Sequence, residues 1–203
     1  MRIVRAADTD GNLEVLLGLI DEARDWLGNK DTNQWARPWP DRASRDDRVR
    51  RGLQVGKTWI VWHEEIPVAT VTIATRPNPV VWSGPDCRCD LSERAVYAHR
   101  LIVARNYAGW GLGAELIDWA GLRGRREYGA SWIRIDVWTS NAALHRYYTK
   151  TGFEPCGSCA DPDYPSGALF QKPASRIAPV SIPHVTGSSA EFELAGLKIP
   201  AFA

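Results

Sequence analysis

The chain has 203 residues, enough for one medium domain and too few for two ordinary ones. Hydrophobic residues make up 44%, which supplies a substantial core, and 25 Lys and Arg against 24 Asp and Glu leave a formal charge of +1. That balance calls for neither nucleic acid nor an anionic membrane as partner. No window approaches about 18 uninterrupted apolar residues, and the start, Met1-Arg2-Ile3-Val4-Arg5, lacks the apolar stretch of a signal peptide; a cytoplasmic protein is expected.

Residues 2–6 read as a strand. Over 11–27, Leu13, Leu16, Leu17, Ile20, Ala23 and Leu27 recur at helical spacing, with Asp10 or Asn12 as the cap. Residues 28–43, broken by Trp35, Pro38, Trp39 and Pro40, read as an irregular connection. A charged helix follows over 44–55, with Ser44 as N-cap and Asp46 and Asp47 in its first turn. Residues 57–63 and 68–75 are β-branched and aromatic, and form strands joined through Glu64-Glu65-Ile66-Pro67. Residues 76–94 read as a long loop, 95–104 as a strand, 111–127 as a helix and 131–138 as a strand. A helix over 141–151 ends at Gly152. Short strands at 153–157 and 168–171 complete the order β-α-α-β-β-β-α-β-α-β-β, an α/β plan with a mixed sheet. Residues 173–203 are rich in Pro, Ser, Gly and Ala and sustain no period, so they are expected to be an appendage to a domain over 1–172.

The four cysteines form two pairs, Cys87-Arg88-Cys89 and Cys156-Gly157-Ser158-Cys159. Such spacings can bind zinc, and reduced thiols are the other reading. The predicted topology sends the two pairs towards opposite ends of the sheet, which predicts no metal site.

The strand at 95–104 contains Leu101-Ile102-Val103 and runs into Arg105-Asn106-Tyr107-Ala108-Gly109-Trp110-Gly111-Leu112-Gly113-Ala114, where a helix begins. Glycines at alternate positions let the backbone approach a ligand, and the helix N-terminus presents free N–H groups and a positive dipole end. This suits a pyrophosphate; it also suits a turn that only packs strand against helix. A dinucleotide fold is excluded, because its glycine fingerprint follows the first strand and an acidic residue closes the second. Here the turn follows the fourth strand and Asp136 lies within its own. A P-loop is excluded because no Gly-Lys-Ser/Thr ends the turn. After the next strand, Asn141 starts a helix with Tyr148 seven residues on, the same face nearly two turns later and roughly 10 Å along the axis.

Together, a Leu-x-Val strand, a Gly-x-Gly-x-Gly turn with its helix, and a strand followed by Asn-x6-Tyr-x3-Gly-Phe resemble the GNAT superfamily of CoA-dependent acyltransferases. The likeness covers residues 1–172 in element order, with its motifs in 99–153. It implies a mixed sheet splayed between strands 95–104 and 131–138, with acetyl-CoA or another acyl-CoA in the cleft. The backbone of Leu101, Ile102 and Val103 would pair with the pantetheine arm. Ala108, Gly109, Trp110, Gly111, Leu112, Gly113 and Ala114 would hold the pyrophosphate, Asn141 would contact the arm, and Tyr148 would stand at the sulfur. The family usually has Gln or Arg where this chain has Ala108, which removes a charge-assisted phosphate contact; Arg105 stands nearby as a substitute.

An amine that attacks a thioester must lose a proton, and the leaving thiolate must gain one. A phenol can supply the second proton, and the resemblance assigns that role to Tyr148. His99 is the candidate base, since a neutral imidazole is a competent acceptor near pH 7. Strand alternation puts it on one side with Leu101 and Val103. Its position, two residues before the Leu-x-Val pair, is similar to that of a His in arylalkylamine N-acetyltransferases. A structural His bonded to a neighbouring carboxylate is the other reading. Asp136 reads as an anchor for a cationic substrate, or as an ion-pair partner of Arg134, Arg100 or Arg146. Trp35, Trp39 and Glu65 fall in regions that flank the acceptor in this fold class, where the two Trp would form an aromatic wall or simply pack. The expected activity is acyl transfer from acyl-CoA to the amine of a small molecule by direct attack, with no metal and with an oligomer allowed. The same fold with a carrier-protein thioester or aminoacyl-tRNA as donor, and a non-catalytic ligand-binding module, are the alternatives.

Overall fold

The computed structural model describes residues 1–30, 32–38, 40–159, 161 and 163–177. Its elements are β1 (Arg2–Arg5), α1 (Asp10–Leu27), α2 (Arg42–Gln54), β2 (Thr58–His63), β3 (Ile66–Ala74), α3 (Pro79–Trp82), β4 (Ala95–Val103), α4 (Leu112–Tyr128), β5 (Trp132–Val137), α5 (Ala142–Lys150), β6 (Glu154–Ser158) and β7 (Ala168–Pro173). The predicted order is present with one addition, the single turn α3 inside the 76–94 connection. Two caps differ from expectation. Thr9, not Asp10 or Asn12, caps α1, its hydroxyl accepting from the Asn12 amide at 3.2 Å. Asp41, not Ser44, caps α2, accepting from the Ser44 amide at 2.8 Å, so that helix starts earlier than its hydrophobic pattern indicates. Each such cap contributes about 1 kcal/mol.

The seven strands form one sheet in the order β1-β2-β3-β4-β5-β7-β6. β4 and β5 run parallel, and every other neighbouring pair is antiparallel. On one face, Leu112, Leu116, Ile117 and Ala120 of α4 pack on Val96, Ala98, Ile133 and Ile135. Gly124 lets α4 lie directly on Val96, where a β-carbon would overlap the valine. On the other face, Leu16, Leu19 and Ile20 of α1 and Val49 and Leu53 of α2 cover Ile60 and Ile102.

The site arises where β4 and β5 part. Their ladder runs from Ala95↔Trp132 to Ala98↔Ile135 and goes no further. On its other edge β4 carries a bulge: Thr72 pairs with His99 but Thr70 pairs with Ile102, so Val71 faces both Arg100 and Leu101. Arg100 takes the left-handed φ of 49° that this requires. A bulge bends and twists its strand, and here it turns the end of β4 away from β5. The extra residue also overturns the expected alternation. His99 shares a face with its partner Thr72 and with Tyr97, whereas Leu101 and Val103 pack against the α4 side.

The cysteines need a second correction. The connection after β3 does not stay at the lower end of the sheet. It crosses one face through α3, where Trp82 meets the Tyr97 ring edge-on with centroids 5.1 Å apart, and then pairs with the outer edge of β6. The Arg88 amide donates to the Cys156 carbonyl at 2.8 Å, and Cys87 bridges to Gly157. The two cysteine pairs therefore meet instead of separating. Cys89 and Cys156 form a disulfide with Cα atoms 5.7 Å apart, and Cys87 and Cys159 are free. No group of three or more His, Cys, Asp or Glu among the described residues is arranged to hold a metal.

Beyond β7, Ala174 and Ile177 are buried, and Ile177 joins the α4-side cluster, so the core continues five residues past position 172. Residues 178–203, the rest of the expected appendage, lie outside the described residues. Among the described residues no helix is long and apolar enough to cross a membrane.

Candidate active site

The splayed ends of β4 and β5 enclose a cleft of about 1330 Å³. One end is made of backbone. After β4 the chain makes a 3-10 turn at Arg105–Tyr107, and then Gly109 and Gly111 take left-handed φ values of 87° and 79°. These reversals bring the chain into α4 with Gly111 as its N-cap. The first amides bonded back into the helix are those of Ala114 and Glu115, both to the Gly111 carbonyl. The amides of Gly109 to Gly113 have no backbone acceptor among the described residues. A β-carbon on Gly109 or Gly111 would meet nothing within 4 Å, so the cradle is open space. Free donors, an open approach and a helix dipole make an anion site. The charge missing at Ala108 has a neighbour on the same wall, where Arg105 stacks on Trp26 with its guanidinium 3.7 Å from the ring centre.

Between the two ends, β4 from His99 onward has no strand beside it on the β5 side. His99, Leu101, Ile102 and Val103 line the cleft there.

The other end is made of side chains brought from four separate segments. The His99 Nδ1 lies 2.9 Å from one oxygen of Asp136, and the Tyr164 hydroxyl donates to the other at 2.6 Å. Burial by itself would push the Asp136 carboxyl up; the charge and hydrogen bond of His99 and the Tyr164 hydroxyl outweigh it and hold the carboxyl below the usual carboxylate range. The ion pairs considered for Asp136 are not made with Arg134, which is fully buried and donates instead to the Tyr97 hydroxyl at 3.1 Å and the Asp90 carbonyl at 2.7 Å. Tyr148 is buried at the cleft wall, its ring edge-on to Phe153, and burial followed by the proximity of Tyr147 and Asp136 pushes its phenol well above the ordinary value. Its proton is therefore held through any neutral or mildly alkaline pH.

Of the residues expected at the site, Trp35, His99, Leu101, Ile102, Val103, Ala108, Gly109, Gly111, Leu112, Gly113, Asp136, Asn141 and Tyr148 all line this cleft. Trp110 and Ala114 do not: Trp110 packs on Tyr107 at 5.0 Å between ring centres, and Ala114 lies inside the first turn of α4. Glu65 is remote, bonded to Arg2 at 3.1 Å in the β2–β3 turn. Trp39 lies outside the described residues. Asn141 is committed twice, accepting from the Leu144 amide at 3.0 Å and donating to Gln34 at 2.7 Å.

Sequence reasoning missed Tyr164, Asn33 and Gln34. Asn33 accepts from Trp138 Nε1 and from the Ser140 hydroxyl, both at 2.7 Å, and so fastens the connection after α1 onto the β5–α5 corner. No local pattern marks these residues, since each acts through a partner far away in the chain.

A family model described as the acetyltransferase (GNAT) family matches residues 20–153. An uncharacterized N-acetyltransferase of Bacillus subtilis (strain 168), YesJ, is 30% identical over 152 residues, covering 72% of this chain and 79% of that protein. Among solved structures, a GNAT-family acetyltransferase from Streptococcus agalactiae superposes with a TM-score of 0.65 at 17% identity, covering 85% of this chain and 94% of that one. The PaiA N-acetyltransferase of Thermoplasma acidophilum, solved in complex with coenzyme A, gives a TM-score of 0.61 at 14% identity, covering 85% and 98%. At these identities the two superpositions establish likeness of fold.

Proposed function

The chain belongs to the acetyltransferase (GNAT) family, and we propose that it transfers an acetyl or other short acyl group from acyl-CoA to the amine of a small molecule, with His99 as base and Tyr148 as acid. The observation that carries this reading is one cleft with free amides at one end and a carboxylate-held imidazole at the other. CoA would supply the activated thioester. The amides of Gly109 to Gly113 would take its pyrophosphate and the exposed edge of β4 its pantetheine arm, while Asn141, already engaged at its side chain, serves by holding the corner of the cleft.

The Asp136 carboxylate stands 2.9 Å from His99 Nδ1 and would favour a proton on that nitrogen. That selects the tautomer whose Nε2 lone pair is free to accept a proton from the acceptor's ammonium, directly or through a water. With Tyr164 on one oxygen and His99 Nδ1 2.9 Å from the other, Asp136 reads as a positioning residue for the imidazole. The Tyr148 phenol keeps its proton and donates it towards the sulfur as negative charge develops there.

Thiol release from acetyl-CoA across a panel of small amines tests the activity, and no release with any of them would sink it. His99→Gln retains size but cannot accept the proton at neutral pH. It should cut kcat/KM by about 10²-fold while leaving acetyl-CoA affinity within about twofold, because the donor contacts are backbone. A variant that keeps most of its activity would make His99 structural.

A further inference from the structure

We infer that the Tyr147 hydroxyl is a further donor contact: it gives a hydrogen bond to the phosphate that ends the pantetheine arm, making up for the side chain missing at Ala108. This rests on the reading of the cleft as an acyl-CoA site.

The first observation is position. Tyr147 and Tyr148 are consecutive on α5 and both line the cleft. Consecutive residues of a helix point about 100° apart, so the two phenols serve different parts of one wall. Tyr148 is 7% exposed and Tyr147 38%, with the rings edge-on and their centres 5.2 Å apart. The Tyr147 oxygen stands at Gly113. A β-carbon on that glycine would lie 3.4 Å from the oxygen and 3.7 Å from Val103 Cγ2. Gly113 lies inside α4 and, unlike Gly109 and Gly111, has no left-handed φ. Its missing side chain supplies clearance instead. The hydroxyl therefore sits where the free amides of the turn meet the end of the unpaired part of β4. A donor that runs along β4 and ends on the turn brings its first phosphate to that junction.

The second observation is that the fold makes no use of this hydroxyl. It forms no hydrogen bond among the described residues. Asp118 is the charged group that acts on it, and Asp118 is itself paired with Lys172 at 2.7 Å. A phenylalanine would pack against Tyr148 equally well, so packing accounts for the ring and not for the oxygen. Burial, and then the Asp118 charge, push the phenol up from its ordinary value. It keeps its proton at neutral pH and so meets an anion as a donor.

The surroundings select a phosphate over the amides of the arm. The free amides and the dipole of α4 draw negative charge to this point, and a phenol gives its stronger hydrogen bond to a charged oxygen.

Competition binding against CoA tests this on the whole protein without turnover. The probes are pantetheine and 4′-phosphopantetheine, which differ by one phosphate. Wild type should favour phosphopantetheine by about 10²-fold or more, and Tyr147→Phe should cut that advantage about tenfold. CoA affinity should fall by about the same factor. Pantetheine affinity should stay within about twofold, which reports an intact wall; if Tyr147→Phe fails to fold, Tyr147→Leu is judged by the same ratio. In turnover the loss should fall on the KM for acetyl-CoA and not on kcat, the reverse of the split expected for Tyr148→Phe. An advantage that survives the substitution, an equal loss on both probes, or a fall in kcat with donor affinity unchanged would overturn the assignment. Wild type and variant that bind CoA equally well would remove the hydroxyl alone, whereas wild type that binds neither CoA nor phosphopantetheine would remove the acyl-CoA reading with it.

Discussion

The two ends of the cleft are built from different material. The donor end is backbone: amides freed by left-handed turns at Gly109 and Gly111, and a strand edge exposed where β4 leaves β5. The other end is side chains: His99 from β4, Asp136 from β5, Tyr148 from α5 and Tyr164 from the β6–β7 connection. A backbone site depends on few side-chain identities, and it depends on space and conformation. A side-chain site depends on identities and on partners remote in sequence. Ala108 illustrates the first case, since the chain lacks the family's usual side chain there and still keeps its free amides.

The sharpest way to break the donor end is Gly111→Asp. The new side chain would have to adopt φ 79° and would bring a negative charge into a phosphate cradle. Acetyl-CoA affinity should fall by more than about 10²-fold by calorimetry, with the acceptor end untouched. Affinity within about threefold of wild type would remove the pyrophosphate from this turn.

Asp136→Asn tests the acceptor end. It keeps the shape but loses the charge that orients the imidazole, so kcat/KM should fall by about 10²-fold or more while CoA binding stays within about twofold. Stability carries a second readout. The folded carboxyl titrates below the ordinary ~3.9, so its contribution is present above that value and is lost as pH falls through the lower folded value. The difference in unfolding free energy between wild type and Asn variant, measured in urea, should therefore shrink as pH drops below about 4. A difference that does not change with pH would mean the carboxylate is not held by His99.

Tyr148→Phe has the smallest expected effect and lies where the two ends meet. It should lower kcat by about tenfold with donor affinity unchanged, because the bond to sulfur strengthens only as thiolate forms. As burial raises the phenol well above its ordinary value, the alkaline side of the pH profile should keep its shape in the variant. A profile that loses its alkaline limb would show that Tyr148 ionises within the working range.

Legibility divides along the same line. The Gly109-x-Gly111-x-Gly113 turn, the following helix and the Asn141 cap were readable because each follows from neighbours in the chain. The side of β4 on which His99 faces was not readable, because alternation holds only in an unbroken strand and the bulge opposite Val71 appears only on pairing with β3. Likewise Asp136 had several arginines as candidate partners. The ones it takes are a histidine on the next strand and a tyrosine 28 residues later.

The sequence by itself determined the element order, the positions of the helix starts to within a few residues, and the glycine turn that leads into α4, since propensity, capping and glycine conformation are local. Only the tertiary structure decided that the two cysteine pairs meet and that His99 lies 2.9 Å from a buried carboxylate. Those depend on which segments become neighbours. That choice is made by a bulge, a crossover over the face of the sheet and a disulfide between cysteines 67 residues apart, none of which leaves a periodic trace in the chain.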